Sequence, residues 1–138
     1  MKKGDSMLYI GHFSFDELER DQKQRHGYFT CVVDSTDVEQ SVEEFKSLIE
    51  RMKAKNSHFA GIAEVYIEDI FEIQKIPETA MMIRMQSSDG EFPESVSRSL
   101  PFAENQGITA YGWAPDVRKI RAAEKDEVLE MEPFLSFG

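Results

Sequence analysis

The sequence predicts an α+β domain, in which an antiparallel sheet carries helices packed on one face. Two observations predict it: an apolar, strand-like run over residues 28–33, and an amphipathic helical pattern that follows directly. The helical pattern places apolar residues at steps of three and four, namely Val38, Val42, Phe45, Leu48, Ile49 and Met52. One face of this helix is therefore expected to lie on an apolar sheet.

The ends of this helix carry recognisable capping signals. Thr36 followed by Glu39 fits a capping box, in which each side chain satisfies a backbone amide at the start of the helix. Lys53 and Lys55 suit the last turn, where cations meet the negative end of the helix dipole. Asn56 can adopt the left-handed conformation that often ends a helix.

The remaining strands are predicted from alternation of apolar and polar residues. Residues 8–15 form a strand ahead of the helix, and residues 61–68 alternate well enough for a sheet with one solvated face. Alternation slips at 69–71, which indicates a bulge or a bend. Residues 80–85 read as a further strand, and 77–79 are short enough for a hairpin connection.

The C-terminal third is less regular. A long connection over 86–106 has room for one short helix, because Phe92, Val96 and Leu100 follow at steps of four. Residues 108–113 are predicted as a core strand and 116–127 as a polar helix capped by Asp116. Phe134, Leu135 and Phe137 are expected to pack back as a strand.

From Tyr28 onward, the predicted order is strand, helix, strand, strand, helix, strand. This order is similar to a ferredoxin-like arrangement, to which residues 8–15 add an N-terminal strand. The resemblance is one of architecture alone, and this architecture hosts many unrelated activities.

Length and composition favour one ordinary domain over residues 1–138. The chain has 41% apolar and 30% charged residues, which is typical of a globular protein with its own core. The lone Cys31 lies in an apolar run, which favours a small core residue in a reducing compartment; a reactive thiol is the alternative. Without a signal-like or membrane-spanning apolar run, we expect a cytoplasmic protein that does not cross a membrane.

The net charge restricts the class of partner. A formal charge of −10 argues against binding nucleic acid or anionic lipid, since both require excess Lys and Arg. The same charge is compatible with a basic protein partner, although solubility alone also explains it.

A few segments are candidates for binding. Tyr111 and Trp113 flank a glycine and would share one strand face, where they line a pocket or an interface, or else fill the core. Met81 and Met85 offer an adaptable apolar surface, with core packing as the alternative. Arg98 lies among acids and could hold an anionic ligand, or form a surface ion pair.

An acidic strip follows the strand at 61–68. Glu64, Glu68 and Asp69 would suit a divalent cation or acid and base chemistry, and a solvated sheet face is the alternative. Four residues of strand separate Glu64 from Glu68 by about 13 Å, which is too far to share one ion. The three histidines lack the spacing of ligand pairs, so neither a metal nor a cofactor is expected.

Three hypotheses for function follow. The first is a noncatalytic binding domain, most simply a homodimer formed through a sheet face or edge, with any small ligand near Trp113. The second is a small enzyme with a pocket between the sheet and residues 87–106, which uses His12 or His58 with Glu64 as base. The third is an acidic inhibitor or immunity-type protein that covers the basic surface of a partner.

Overall fold

In the residues that it describes, the computed structural model contains one α-helix packed against an antiparallel sheet, and a separate two-stranded hairpin lies between two strands of that sheet along the chain. It describes residues 6–18, 24–80, 82–88, 95–99, 107–114, 117–122 and 133–137. Within these ranges the elements are β1 Met7–Leu18, β2 Gln24–Ser35, α1 Val38–Lys55, β3 Ile62–Ile73, β4 Arg84–Ser88, β5 Ser95–Ser99, β6 Ile108–Ala114, β7 Lys119–Ala122 and β8 Leu135–Ser136. The predicted α+β class is confirmed.

The sheet has the order β2-β1-β3-β6-β7, and β8 pairs with β3 beside this path. The predicted N-terminal strand is longer than expected and lies in the middle of the sheet, between β2 and β3. Because β1 occupies the place between the two strands that flank α1, the ferredoxin-like order is not confirmed. The long hairpin of β1 and β2, which pairs residues close in the chain, explains this order.

The N-cap residue of α1 lies one position later than predicted. Asp37, not Thr36, is the N-cap residue, and its carboxylate accepts a 2.7 Å hydrogen bond from the amide of Gln40. Asn56 ends the helix in an extended conformation and not in the left-handed one. The predicted basic residues of the last turn, Lys53 and Lys55, are confirmed.

Three predictions for the C-terminal half differ from the structure. The strand predicted over 80–85 is present only at its end, because Arg84 and Met85 begin β4, and β4 pairs with β5 and not with β3. The short helix for which the 86–106 connection has room is not found at residues 95–99, which form β5. Residues 119–122, also predicted to be helical, form β7 against β6. The predicted strand near the C-terminus is confirmed as β8.

The core lies between α1 and the sheet. We call this side of the sheet the helix face and the opposite side the outer face. Tyr9, Phe13, Phe45, Ile49 and Val65 are almost fully buried at its centre. A smaller apolar cluster on the outer face contains Phe71, Ile108 and Ala110, with Ile73 and Ile83 packed against it. The chain after β3 therefore returns over part of the outer face.

Candidate functional site

A β-bulge in β3 positions the polar residues of the outer face. His12 pairs with Asp69 and the next residue, Phe13, pairs with Ile67, so Glu68 is the extra residue of the bulge. The predicted slip in alternation at 69–71 thus marks a real bulge, one residue earlier. Its consequence is that Glu68 and Asp69 both contact Arg84 on the outer face, although neighbours in a regular strand point to opposite faces.

Five side chains meet at this bulge, and we call them the bulge cluster: His12, Ser14, Glu68, Asp69 and Arg84. The Arg84 guanidinium lies 3.0 Å from Asp69 Oδ2 and 3.3 Å from Glu68 Oε1. His12 Nδ1 lies 2.5 Å from Asp69 Oδ1. The Ser14 hydroxyl donates a 2.7 Å hydrogen bond to Glu68 Oε2.

The bulge cluster is buried to a degree that is unusual for charged groups. The side chains of Asp69 and Glu68 are 2% and 3% exposed, and those of Arg84 and His12 are 14% and 19% exposed. Buried carboxylates are tolerated only when paired and hydrogen bonded, which Arg84, His12 and Ser14 achieve here.

A second polar group lies further along the same face. Asp16 accepts a 3.1 Å hydrogen bond from the Tyr66 hydroxyl and lies 3.2 Å from His26 Nδ1. Burial, followed by the neighbouring Asp16, raises the pKa of Tyr66 to about 12. Glu64 lies directly across from Asp16 in the register of β3 and β1. The Ser136 hydroxyl lies 3.5 Å from Glu64 Oε2. Two acids therefore face each other on adjacent strands, an unfavourable arrangement in isolation.

The edge of the sheet formed by β2 contrasts with these polar groups. All twelve residues of β2 pair with β1 in consecutive register, and no described strand pairs with its other edge. On the outer face, Val32 and Tyr28 are 62% and 43% exposed. On the helix face, Phe29 and Cys31 are partly buried against the core. Burial raises the pKa of the Cys31 thiol to about 11, so little thiolate forms at neutral pH.

Tyr111 and Trp113, predicted to share one face, both pack against the core on the helix face. The indole of Trp113 lies edge to face with Phe134, and its buried N–H has no hydrogen-bond partner among the described residues. Burial, followed by the charge of Glu72, raises the pKa of Tyr111. Glu72 is itself buried and accepts a 2.7 Å hydrogen bond from the Tyr9 hydroxyl.

The other predicted binding residues are scattered. Met85 and Arg98 are paired in the register of β4 and β5, in the hairpin outside the main sheet. Met81 lies outside the described residues. Their roles in binding stay predictions.

The predicted acidic strip is divided by the structure. Glu68 and Asp69 belong to the bulge cluster, whereas Glu64 lies beside Asp16. The partner of His12 is Asp69 and not Glu64, and His58 lies in an exposed 3₁₀ turn after α1. The pairing predicted for an enzyme is thus not the one observed.

Several important residues were missed from the sequence. Arg84 and Ser14 complete the bulge cluster, and Val32 and Tyr28 define the exposed part of the β2 edge. The sequence did indicate an exposed apolar surface at Tyr28 and Val32, because strand 28–33 is apolar on both faces. Nothing local to Arg84 indicates its distant partners.

Two general findings concern the described part of the chain. No group of three or more His, Cys, Asp or Glu side chains in it is arranged to hold a metal ion. None of its helical segments combines the length and apolar character that a membrane span requires.

No family model, no curated protein and no solved structure matches this chain.

Proposed function

We propose that this protein is a noncatalytic association domain that uses the free edge of β2 to pair with a second copy of itself. The observation that carries the proposal is the length and regularity of this edge. β2 has twelve residues paired to β1 without a bulge, and no charged residue or proline occurs from Gly27 to Val33. Charges, prolines and bulges are the usual protections of a free edge against pairing.

The chemistry of the edge supports pairing with another strand. The backbone N–H and C=O groups on the free side of β2 have no strand partner among the described residues. A partner strand would satisfy them, at a net gain of about 0.5–1.5 kcal/mol for each hydrogen bond. Val32 and Tyr28, which are exposed, would lose contact with water in the same step.

A basic protein partner is a second candidate, and the acidic pair of Asp16 and Glu64 favours it. These carboxylates face each other across two strands, and the chain carries a formal charge of −10. A cationic surface placed over them would relieve their repulsion. Such binding would weaken as salt is added, whereas pairing at an apolar edge would not.

We also propose that the protein is located in the cytoplasm. A single cysteine, with its thiol held protonated by burial, suits the reducing cytoplasm.

The test is light scattering coupled to size exclusion, at low and high salt, on wild type and two variants. Val32→Lys places a charge on the free edge, and Val117→Lys is the matched control. Val117 is similarly exposed, at 56% against 62%, but precedes β7 at the opposite side of the sheet. We expect a dimer for wild type and Val117→Lys at both salts, and a monomer for Val32→Lys. A monomeric wild type at micromolar concentration would overturn the proposal.

A further inference from the structure

The residues of β2 that face outward have a self-complementary order. Along the outer face the strand carries a histidine, an aromatic residue, a threonine, an aliphatic residue and an acid, namely His26, Tyr28, Thr30, Val32 and Asp34. Four of these five residues are exposed, and the fifth, His26, is partly exposed. Thr30 is the centre of this sequence, and the groups on its two sides are of complementary type.

We propose that two copies pair their β2 strands in antiparallel register about a two-fold axis at Thr30; this inference rests on the proposed function. In this register Thr30 lies opposite the second copy's Thr30. Tyr28 lies opposite the second copy's Val32, and His26 opposite the second copy's Asp34. Threonine pairs, aromatic residues opposite β-branched ones, and opposite charges are the favourable cross-strand pairs of antiparallel sheets.

The neighbouring registers are worse. A two-fold axis perpendicular to the sheet keeps each side chain on its own face, so registers differ by steps of two residues. One step in one direction places Tyr28 opposite Asp34 and Thr30 opposite Val32. One step in the other direction places His26 opposite Val32 and Tyr28 opposite Thr30. Both alternatives oppose polar or charged groups to apolar ones, and both lose the pairing of His26 with Asp34.

The helix face agrees with the register centred on Thr30. There, Phe29 lies opposite the second copy's Cys31, so a large side chain meets a small one. Gly27 lies opposite the second copy's Val33. Phe29, Cys31 and Val33 already pack against the core of their own copy. The pairing would therefore join the two cores along one continuous sheet.

The test is disulfide trapping in the full chain, with Cys31→Ser as the background so that the introduced cysteine is alone. Thr30→Cys would lie opposite itself at the axis, within the Cα separation of about 4.4–6.8 Å that a disulfide requires. Val32→Cys is the matched control, because its two copies would stand about 13 Å apart along the strands. Both positions are exposed on the same face of β2.

We expect mild oxidation to convert most of the Thr30→Cys protein to a covalent dimer and to leave Val32→Cys uncrosslinked. A mixture of Tyr28→Cys and Val32→Cys proteins should form the mixed disulfide. Light scattering on the reduced proteins separates the two possible failures. A dimer in which Thr30→Cys does not crosslink would overturn this register and leave the association standing. A monomer would overturn both.

Discussion

The bulge cluster and the exposed side chains of β2 lie on the same outer face of the sheet, but the two regions differ in whether their polar groups have partners. In the bulge cluster, buried charged groups are matched to one another within the chain. At the edge of β2, exposed apolar side chains accompany a row of backbone groups without a strand partner among the described residues. The difference teaches that the more polar site need not be the one proposed to bind. The charged groups of the bulge cluster are paired within the chain, whereas the backbone groups at the edge of β2 are the ones that we propose a second copy would satisfy.

The strands differ in a way that explains this contrast. β3 is interrupted by its bulge, which brings two carboxylates to one face and towards Arg84. β2 pairs with β1 without a bulge, and its other edge is the one that we propose pairs with a second copy.

The largest expected effect comes from breaking the bulge cluster at Arg84. Arg84→Met removes the guanidinium that both buried carboxylates contact, and we expect a loss of about 3 kcal/mol in the free energy of unfolding. Urea unfolding measures this loss. Arg51→Met, on the exposed side of α1, is the control and should change stability by less than about 0.5 kcal/mol. Equal stability of the two variants would mean that the cluster does not hold the fold.

A smaller effect should follow from removing a neutral member of the bulge cluster. Ser14→Ala deletes the donor to Glu68 in a position that is almost fully buried, and should cost about 1–2 kcal/mol in urea unfolding. Ser136→Ala is the matched control, because that hydroxyl is exposed and lies 3.5 Å from Glu64. If both serines matter equally, burial is not what makes the cluster stabilising.

The smallest expected effect is a change in alkaline stability at Tyr66. Burial and Asp16 raise the pKa of Tyr66 from 10.0 to about 12, so the folded state holds the phenolic proton more tightly than the unfolded state. The resulting stability is present below pH 10 and is lost as the pH rises towards 12. Tyr66→Phe should remove part of this decline, on the order of 1 kcal/mol after solvent screening.

Urea unfolding at pH 8, 10 and 11.5 measures that decline. Val117→Ala, which changes an exposed, non-titrating side chain away from the β2 edge, is the control and should retain the dependence of the wild type. An unchanged dependence in Tyr66→Phe would contradict the assignment.

The parts of the fold that the sequence predicted have strong local periodicity. The stripe from Val38 to Met52 predicts α1, and the alternation at 61–68 predicts the first half of β3. The elements that were missed are short and depend on distant partners. A step of four residues, as from Val96 to Leu100, keeps side chains on one face of a strand as well as of a helix, so β5 was mistaken for a helix.

The candidate site was predictable only in part, for a related reason. Glu68 and Asp69 were recognisable as a pair of acids, and the slip in alternation indicated the bulge beside them. That Arg84 would reach both acids depends on the course of the chain after β3, which no local pattern specifies. The order of the sheet was misjudged because β1 was treated as an addition, although it is central.

The bulge at Glu68 also determines which residues of β3 face the helix. Val65 and Ile67, which precede the bulge, face the helix, and so does Ile70, which follows it. Ile67 and Ile70 are three residues apart, whereas residues on one face of a regular strand are separated by an even number. Beyond that point, Phe71 contributes to the apolar cluster on the outer face. Deletion of the bulge residue Glu68 would leave Ile67 and Ile70 two residues apart, so both would still face the helix as in a regular strand. The bulge cluster would, however, lose one of its two carboxylates. A change of one residue in length can therefore be absorbed at the bulge of β3, whereas the same change within β2, which pairs without a bulge, would turn the rest of that strand over.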